Sequence, residues 1–265
     1  FYSTLFGYDK AIKIVCTKQL NGYYDEVNFS FERSGLTALM VASANGHTAI
    51  VEHLLQLGSK VNCADEDGQT PLYAACSNGH EEIVECLIKC GADINRANNQ
   101  RRTPLYAAAK NDHHKIVVCL MKHGAKINHS DQYNQTPLYL ASFNGHEKVV
   151  ECLVECGAKI NGSSVDGQTP LHAAASNGYE TIVRCLVKHG AEINSSDKYG
   201  WTPIYSASSK GHEKIVEYLT KCGAEINRPD DYGETPLYAA SSNGSEKMVE
   251  CLVKCGAEIN RVHNY

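Results

Sequence analysis

Apolar and polar positions along this chain recur every 33 residues, and inside each period they spell two short helices. From Thr70, a Thr-Pro pair opens a run of small and apolar residues, Leu72, Tyr73, Ala74, Ala75 and Cys76, which ends at Gly79. Threonine suits an N-cap, and proline suits the first helical position, where its missing N–H does no harm. The pattern therefore predicts a helix from Pro71 to about Asn78, broken at Gly79. Between Glu81 and Lys89, the residues Ile83, Val84, Leu87 and Ile88 share one face, which predicts an amphipathic second helix closed by a left-handed Gly91. Ile94, Asn95 and the polar stretch up to the next Thr-Pro read as an extended turn. Neither helix can bury its apolar stripe alone, so stability must come from stacking on neighbours.

The copies are easily followed. Gln69-Thr70-Pro71-Leu72-Tyr73 recurs as Arg102-Thr103-Pro104-Leu105-Tyr106, Gln135-Thr136-Pro137-Leu138-Tyr139, Gln168-Thr169-Pro170-Leu171-His172, Trp201-Thr202-Pro203-Ile204-Tyr205 and Glu234-Thr235-Pro236-Leu237-Tyr238, with a weaker copy at Thr37-Ala38-Leu39-Met40. Gly-Ala-x-Ile-Asn repeats in phase from Gly91, Gly124, Gly157, Gly190, Gly223 and Gly256. Seven repeats are expected, at 32–64, 65–97, 98–130, 131–163, 164–196, 197–229 and 230–262. Residues 1–31 read as a degenerate N-terminal capping repeat with a long connection, Gly7 standing 39 residues before Gly46, and 263–265 as the start of a further finger. A start at Phe1 and a stop inside a finger at Tyr265 are expected of a fragment.

Together, Gly-x-Thr-Pro-Leu, Ala-Ala, Asn-Gly-His, Ile-Val-Glu-x-Leu and Gly-Ala-x-Ile-Asn resemble the ankyrin repeat, strongly over 32–262 and weakly over 1–31. The resemblance implies a mainly α fold, a solenoid of stacked helix-turn-helix units with β-hairpin fingers, the fingers and first helices lining a concave binding surface. The chain departs from the family where Tyr73, Tyr106, Tyr139, Tyr205 and Tyr238 replace a histidine that only His172 keeps. Arg101 and Asn134 replace the finger glycine, and Asp112 replaces the glycine between the helices. Asn and Asp tolerate a left-handed backbone, whereas Arg101 does so poorly, so an altered turn is expected there.

Charge and composition narrow the function classes. Twenty-five basic and thirty acidic residues leave a net charge of -5, without the basic footprint that sequence-independent nucleic-acid binding needs. Apolar runs fall far short of the ~20 residues that cross a bilayer, and no leader-like stretch opens the chain, so the expectation is a cytoplasmic or nuclear segment that inserts in no membrane.

The twelve cysteines reduce mainly to two repeated positions, one at Cys86, Cys119, Cys152, Cys185 and Cys251, the other at Cys90, Cys156, Cys222 and Cys255. Equivalent residues of stacked helices stand ~10 Å apart, beyond the ~7 Å limit for a disulfide, and residues four apart on one helix point nearly parallel. Reduced, mostly buried thiols are expected. Metal is not, because only pairs such as Cys119 with His123 recur, where tetrahedral zinc needs four converging ligands. His47, His80, His113, His146 and His212 share a single position, which argues for a framework role beside the turn. With no nucleophile elbow, phosphate loop or dinucleotide glycine pattern, the reading is a chain without catalytic residues or cofactors. The sequons at Asn28, Asn128, Asn134, Asn161, Asn194 and Asn243 are read as unglycosylated, several being products of the repeat itself.

Positions that vary on a constant framework carry the candidate site. Tyr133, Phe143, Tyr199, Trp201 and Tyr232 are large aromatics where the framework faces solvent, and Arg101, Arg102 and Lys110 form a basic cluster suited to carboxylates. From Tyr133 to Tyr232 is three repeat steps, ~30 Å, which an extended peptide of roughly nine residues covers. The partner expected is another protein, offering an acidic and apolar or aromatic segment to the groove, with the chain acting as the recognition part of a larger protein. Two alternatives stay open: a structural spacer or spring, and the substrate-recruiting regulatory domain of an enzyme or ubiquitin-ligase adaptor. The resemblance also implies asparaginyl hydroxylation, for which Asn95 is the candidate, with Leu87 eight residues before it and Asp93 two before; the rival reading is an Asn that braces the hairpin.

Overall fold

The structure, a computed structural model, describes residues 34–259 together with Asn28 and Ser30. The rest of the degenerate repeat at 1–31, Asn260 and the further finger at 263–265 lie outside the described residues. Fourteen helices are found among those described, in seven pairs, and the chain divides into two compact units at 132/133.

In the first unit the pairs are α1 Ala38–Ala44 with α2 Thr48–Gln56, α3 Pro71–Asn78 with α4 Glu81–Lys89, and α5 Pro104–Lys110 with α6 His114–Lys122. In the second they are α7 Pro137–Asn144 with α8 Glu147–Glu155, α9 Pro170–Asn177 with α10 Glu180–Lys188, α11 Pro203–Lys210 with α12 Glu213–Lys221, and α13 Pro236–Ser242 with α14 Glu246–Lys254. Within each unit first helices stack on first helices and second on second, as the periodicity predicts.

Local chemistry sets the boundaries. Thr70, Thr103, Thr136, Thr169, Thr202 and Thr235 each accept a hydrogen bond from the backbone N–H three residues on, a cap worth about 1 kcal/mol, with proline at the first turn. First helices are small-residue rods buried nearly throughout: Leu105, Ala107, Ala108 and Ala109 in α5 are all buried. Second helices bury one stripe, such as Ile83, Val84 and Leu87 in α4.

The repeated histidine has a visible task. His80 Nε2 lies 3.0 Å from the Ala44 carbonyl of the preceding repeat, and His113 Nε2 lies 3.2 Å from that of Ser77. Gly79 turns at φ 83°, and a Cβ there would stand 2.6 Å from the His113 ring. Glycine at that turn therefore serves two needs, a left-handed backbone and room for the next repeat's ring.

The expected fingers are present as hairpin turns, closed by bonds such as that from Asp65 N–H to the Gln69 carbonyl (3.0 Å) and too short for a ladder; the isolated bridge between Ser30 and Thr37 is the only strand pairing among the described residues. One expectation is corrected. The described thiols are free, but only Cys76 and Cys251 of them are buried, while Cys90 and Cys156 are exposed. The reason is angular: the repeated cysteine directly precedes the buried leucine of the second helix and so falls on the flank of the apolar stripe. Among the described residues no helix is long and apolar enough to cross a membrane, and no group of three or more His, Cys, Asp or Glu side chains could hold a metal.

Candidate functional site

Each finger is built around its first residue. In the second unit Asp197 accepts from the backbone N–H of Tyr199 (2.9 Å) and Trp201 (3.0 Å) through Oδ1, and its own N–H donates to the Trp201 carbonyl (2.9 Å). Asp230 does the same for Tyr232 (2.9 Å) and Glu234 (2.8 Å). In the first unit Asn98 plays this part toward Gln100 (3.0 Å) and Arg102 (2.9 Å). Such side-chain-to-backbone bonds fix a turn without a strand.

One backbone bond then joins each finger to the next. In the first unit these run from Glu66 N–H to the Ser34 carbonyl (3.2 Å), Asn99 to Asp67 (2.9 Å) and Gln132 to Gln100 (3.2 Å). In the second they run from Val165 to Tyr133 (2.9 Å), Lys198 to Asp166 (2.9 Å) and Asp231 to Tyr199 (3.1 Å). The fingertips are thus a pre-organised row, which lowers the ordering cost of binding anything to them.

The sequence-derived site residues fall into two sets. In the second unit Tyr133 (49%), Phe143 (46%), Tyr199 (39%) and Tyr232 (69%) are exposed. Phe143 stacks on Tyr139 at 6.3 Å between ring centroids, and Lys198, ion-paired with Asp166, places Nζ 4.9 Å from the Tyr199 centroid. Trp201 is half-buried: it stacks on Tyr205 at 5.4 Å, touches Tyr199 at 5.3 Å, and donates from Nε1 to Asp230 Oδ2 at 3.0 Å. In the first unit Arg101 and Lys110 are exposed, whereas Arg102 is half-buried, lying over the Tyr106 ring at 5.3 Å with Nε 3.7 Å from the fully buried Asp131.

Arg102 and Trp201 therefore clamp successive repeats together before they offer anything to a partner. A signal for this stands in the sequence: each lies 29 residues before the aspartate it meets. The tyrosines at the histidine position are links as well. Tyr106 donates to Asp131 (3.0 Å), Tyr139 to Gln168 (3.2 Å) and Tyr205 to Glu234 (3.3 Å). Burial, with the facing acids, pushes the Tyr106 and Tyr205 phenols well up, so both stay neutral donors.

The turn at Arg101 is not altered. Arg101 takes φ 62° and its finger keeps the closing bond from Asn98 N–H to the Arg102 carbonyl at 2.9 Å, with Asn134 at φ 59° and Asp112 at φ 60° likewise in glycine's conformation. Bonds on both sides hold the loop to its neighbours, so the arginine bears the strain instead of relieving it.

Asn95 is held at both ends of its amide: Nδ2 donates to the Gly124 carbonyl (3.2 Å) and Oδ1 accepts from Lys126 N–H (2.7 Å). Asn62, Asn161 and Asn194 repeat the arrangement. The bracing role is therefore present in the fold, and hydroxylation of Asn95 remains a proposal, to be met by enzyme only when this connection opens.

Comparison with known proteins gives one consistent likeness. Family models described as ankyrin repeats match residues 4–98, 95–164, 161–230 and 220–253. Among solved structures the human ASB11 ankyrin repeat domain superposes with a TM-score of 0.78 at 24% identity, over 84% of this chain and 99% of that one. None of the curated proteins matches.

Proposed function

Because the chain belongs to the ankyrin-repeat family, whose members are generally protein-interaction modules, we propose that its second unit holds an apolar or aromatic segment of another protein against its fingers. The observation that carries this is the exposure of Tyr133, Tyr199 and Tyr232 on fingers whose backbone is already fixed, with Phe143 exposed near the end of the first helix α7, stacked on Tyr139. Exposed aromatics on a rigid base are what binding hot spots are made of, since their area is gained at little entropic cost. Trp201 is the floor beneath Tyr199 in this arrangement, so it acts through the position of that ring. Arg101 and Lys110 are exposed in the first unit, where their charges suit carboxylates.

The test is a displayed peptide library selected on the whole chain, with affinities then measured by fluorescence polarisation. A Phe143→Ala, Tyr232→Ala double variant should lose about 30-fold or more, the ≥2 kcal/mol typical of a truncated hot spot. A control altering Lys89 and Glu155, both exposed on second helices, should bind as before. Peptides that bind the double variant undiminished would remove the aromatic fingers from the site and favour a spacer.

A further inference from the structure

The proposed binding surface leaves the repeated cysteines of the second helices unused. Three of these helices carry two of them, at Cys86 and Cys90, Cys152 and Cys156, and Cys251 and Cys255. In each pair the second cysteine closes the last helical turn by donating its backbone N–H to the carbonyl of the first, at 3.1, 3.0 and 2.9 Å. Both side chains therefore lie on one face of one turn, four residues apart. Cys90 and Cys156 are exposed, and Cys255 is half-exposed.

Helical spacing holds the Cβ atoms of such a pair about 5–6 Å apart, whereas a disulfide needs about 3.8 Å. Direct oxidation within a pair would thus have to break the turn that the backbone bond closes. A single atom placed between the two sulfurs meets no such obstacle, because each thiol has only to rotate toward it. We propose that these three dithiols are binding sites for a soft, thiophilic ion that bonds two sulfurs at once, trivalent arsenic being the probe of choice. Soft thiolate ligands select soft ions over the hard cations that carboxylates bind. The reaction with phenylarsine oxide balances without an oxidant: two S–H bonds and the As=O bond are lost, two As–S bonds form, the two protons leave with the oxygen as water, and arsenic stays trivalent. Burial raises the first thiol of each pair, so the protons leave on capture, as they do when metals bind.

The neighbouring helices supply an internal control. Cys119 and Cys185 carry histidines four residues on, with Sγ 3.9 and 3.8 Å from Nδ1 of His123 and His189. These pairs have the same spacing and only one sulfur, so they should not retain an arsenical that needs two.

The experiment titrates the reduced full chain with phenylarsine oxide, alkylates what remains free and maps it by mass spectrometry. The wild type should bind three equivalents more than a Cys90→Ser, Cys156→Ser, Cys255→Ser variant, and the six paired cysteines should be protected while Cys119 and Cys185 are alkylated. A smaller difference in uptake, or equal protection of Cys119 and Cys185, overturns the assignment. Because the mapping is done on the wild type, it decides the matter even where a serine variant folds poorly.

Discussion

The finger that ends at Arg102, in the first unit, and the finger that ends at Trp201, in the second, solve one problem with opposite chemistries. Each residue directly precedes a Thr-Pro cap, lies along the tyrosine of its own repeat, and reaches the aspartate 29 residues on. Arginine does this with a guanidinium over Tyr106 and a 3.7 Å approach to Asp131; tryptophan does it with a stacked indole and a 3.0 Å hydrogen bond to Asp230. The framework therefore specifies a flat side chain with a donor at its far edge and leaves the charge free. A third version is smaller: Gln168 donates to Asp197 Oδ2 at 3.4 Å beside His172. An unusual large residue on a repeat surface can thus be a fastener first and a recognition element second.

Removing the aspartates should separate the two solutions most sharply. Asp131 is wholly buried and accepts from the Tyr106 hydroxyl, itself 2% exposed, so Asp131→Ala strands a buried donor and costs about 3 kcal/mol. Asp230→Ala releases the indole N–H of a half-buried tryptophan, which water can satisfy, and two turn N–H groups, for about 2 kcal/mol. Urea titration followed by circular dichroism orders the two. A larger loss for Asp230→Ala would mean that the turn, and not the cross-repeat bond, is what each aspartate maintains.

Next in size is the exchange of residues at the left-handed position, where the first finger has Arg101 and the second has Gly200. Gly200 turns at φ 80°, and a Cβ there would stand 2.6 Å from the Asp231 backbone nitrogen, so Gly200→Ala should cost about 2 kcal/mol, more than left-handed strain alone. Arg101→Gly relieves strain of about 1–2 kcal/mol while adding chain entropy to the unfolded state, for a net gain of about 0.5–1 kcal/mol. If Arg101→Gly destabilises, the arginine side chain contributes more than its backbone loses.

What the sequence made legible follows from which interactions are local. The helices from Pro71 to about Asn78 and from Glu81 to Lys89 are readable, because cap, proline and closing glycine act within one turn. The exposure of Tyr133, Phe143, Tyr199 and Tyr232 was also readable, since a periodic chain fixes which positions face the core. The engagement of Arg102 and Trp201 is harder to read, because its one signal, a spacing of 29 residues, leads to an aspartate in the following repeat that looks like an ordinary turn former. Arg101 was misread because its own preference predicts a different turn, and bonds to neighbouring fingers overrule it. The thiols were misread for a simpler reason: cysteine's usual preference for burial gave way to a helical angle that leaves it on the flank.

The smallest expected effect distinguishes the third version of the clamp, where His172 replaces tyrosine. His172 is buried, its Nδ1 accepts from Thr169 N–H at 3.2 Å, and its Nε2 faces the Trp201 carbonyl at 3.0 Å, an arrangement that fits the neutral ring protonated on Nε2. Burial lowers its pKa below 6.5, although the Trp201 carbonyl and Asp197 oppose the shift. A folded value below the unfolded one means that the unfolded chain binds the extra proton first as pH drops. The contribution is therefore complete above the unfolded pKa of 6.5 and is lost as pH falls from there toward the folded value. In His172→Tyr the ring is exchanged for the phenol that the other clamps use, which does not titrate in this range. Melting both proteins at about pH 7.5 and about pH 5 should show the variant gaining on the wild type at the lower pH. A gap that stays constant, or moves the other way, would mean that the folded ring takes up its proton as readily as the unfolded one, and that neither burial nor the Thr169 N–H holds it neutral.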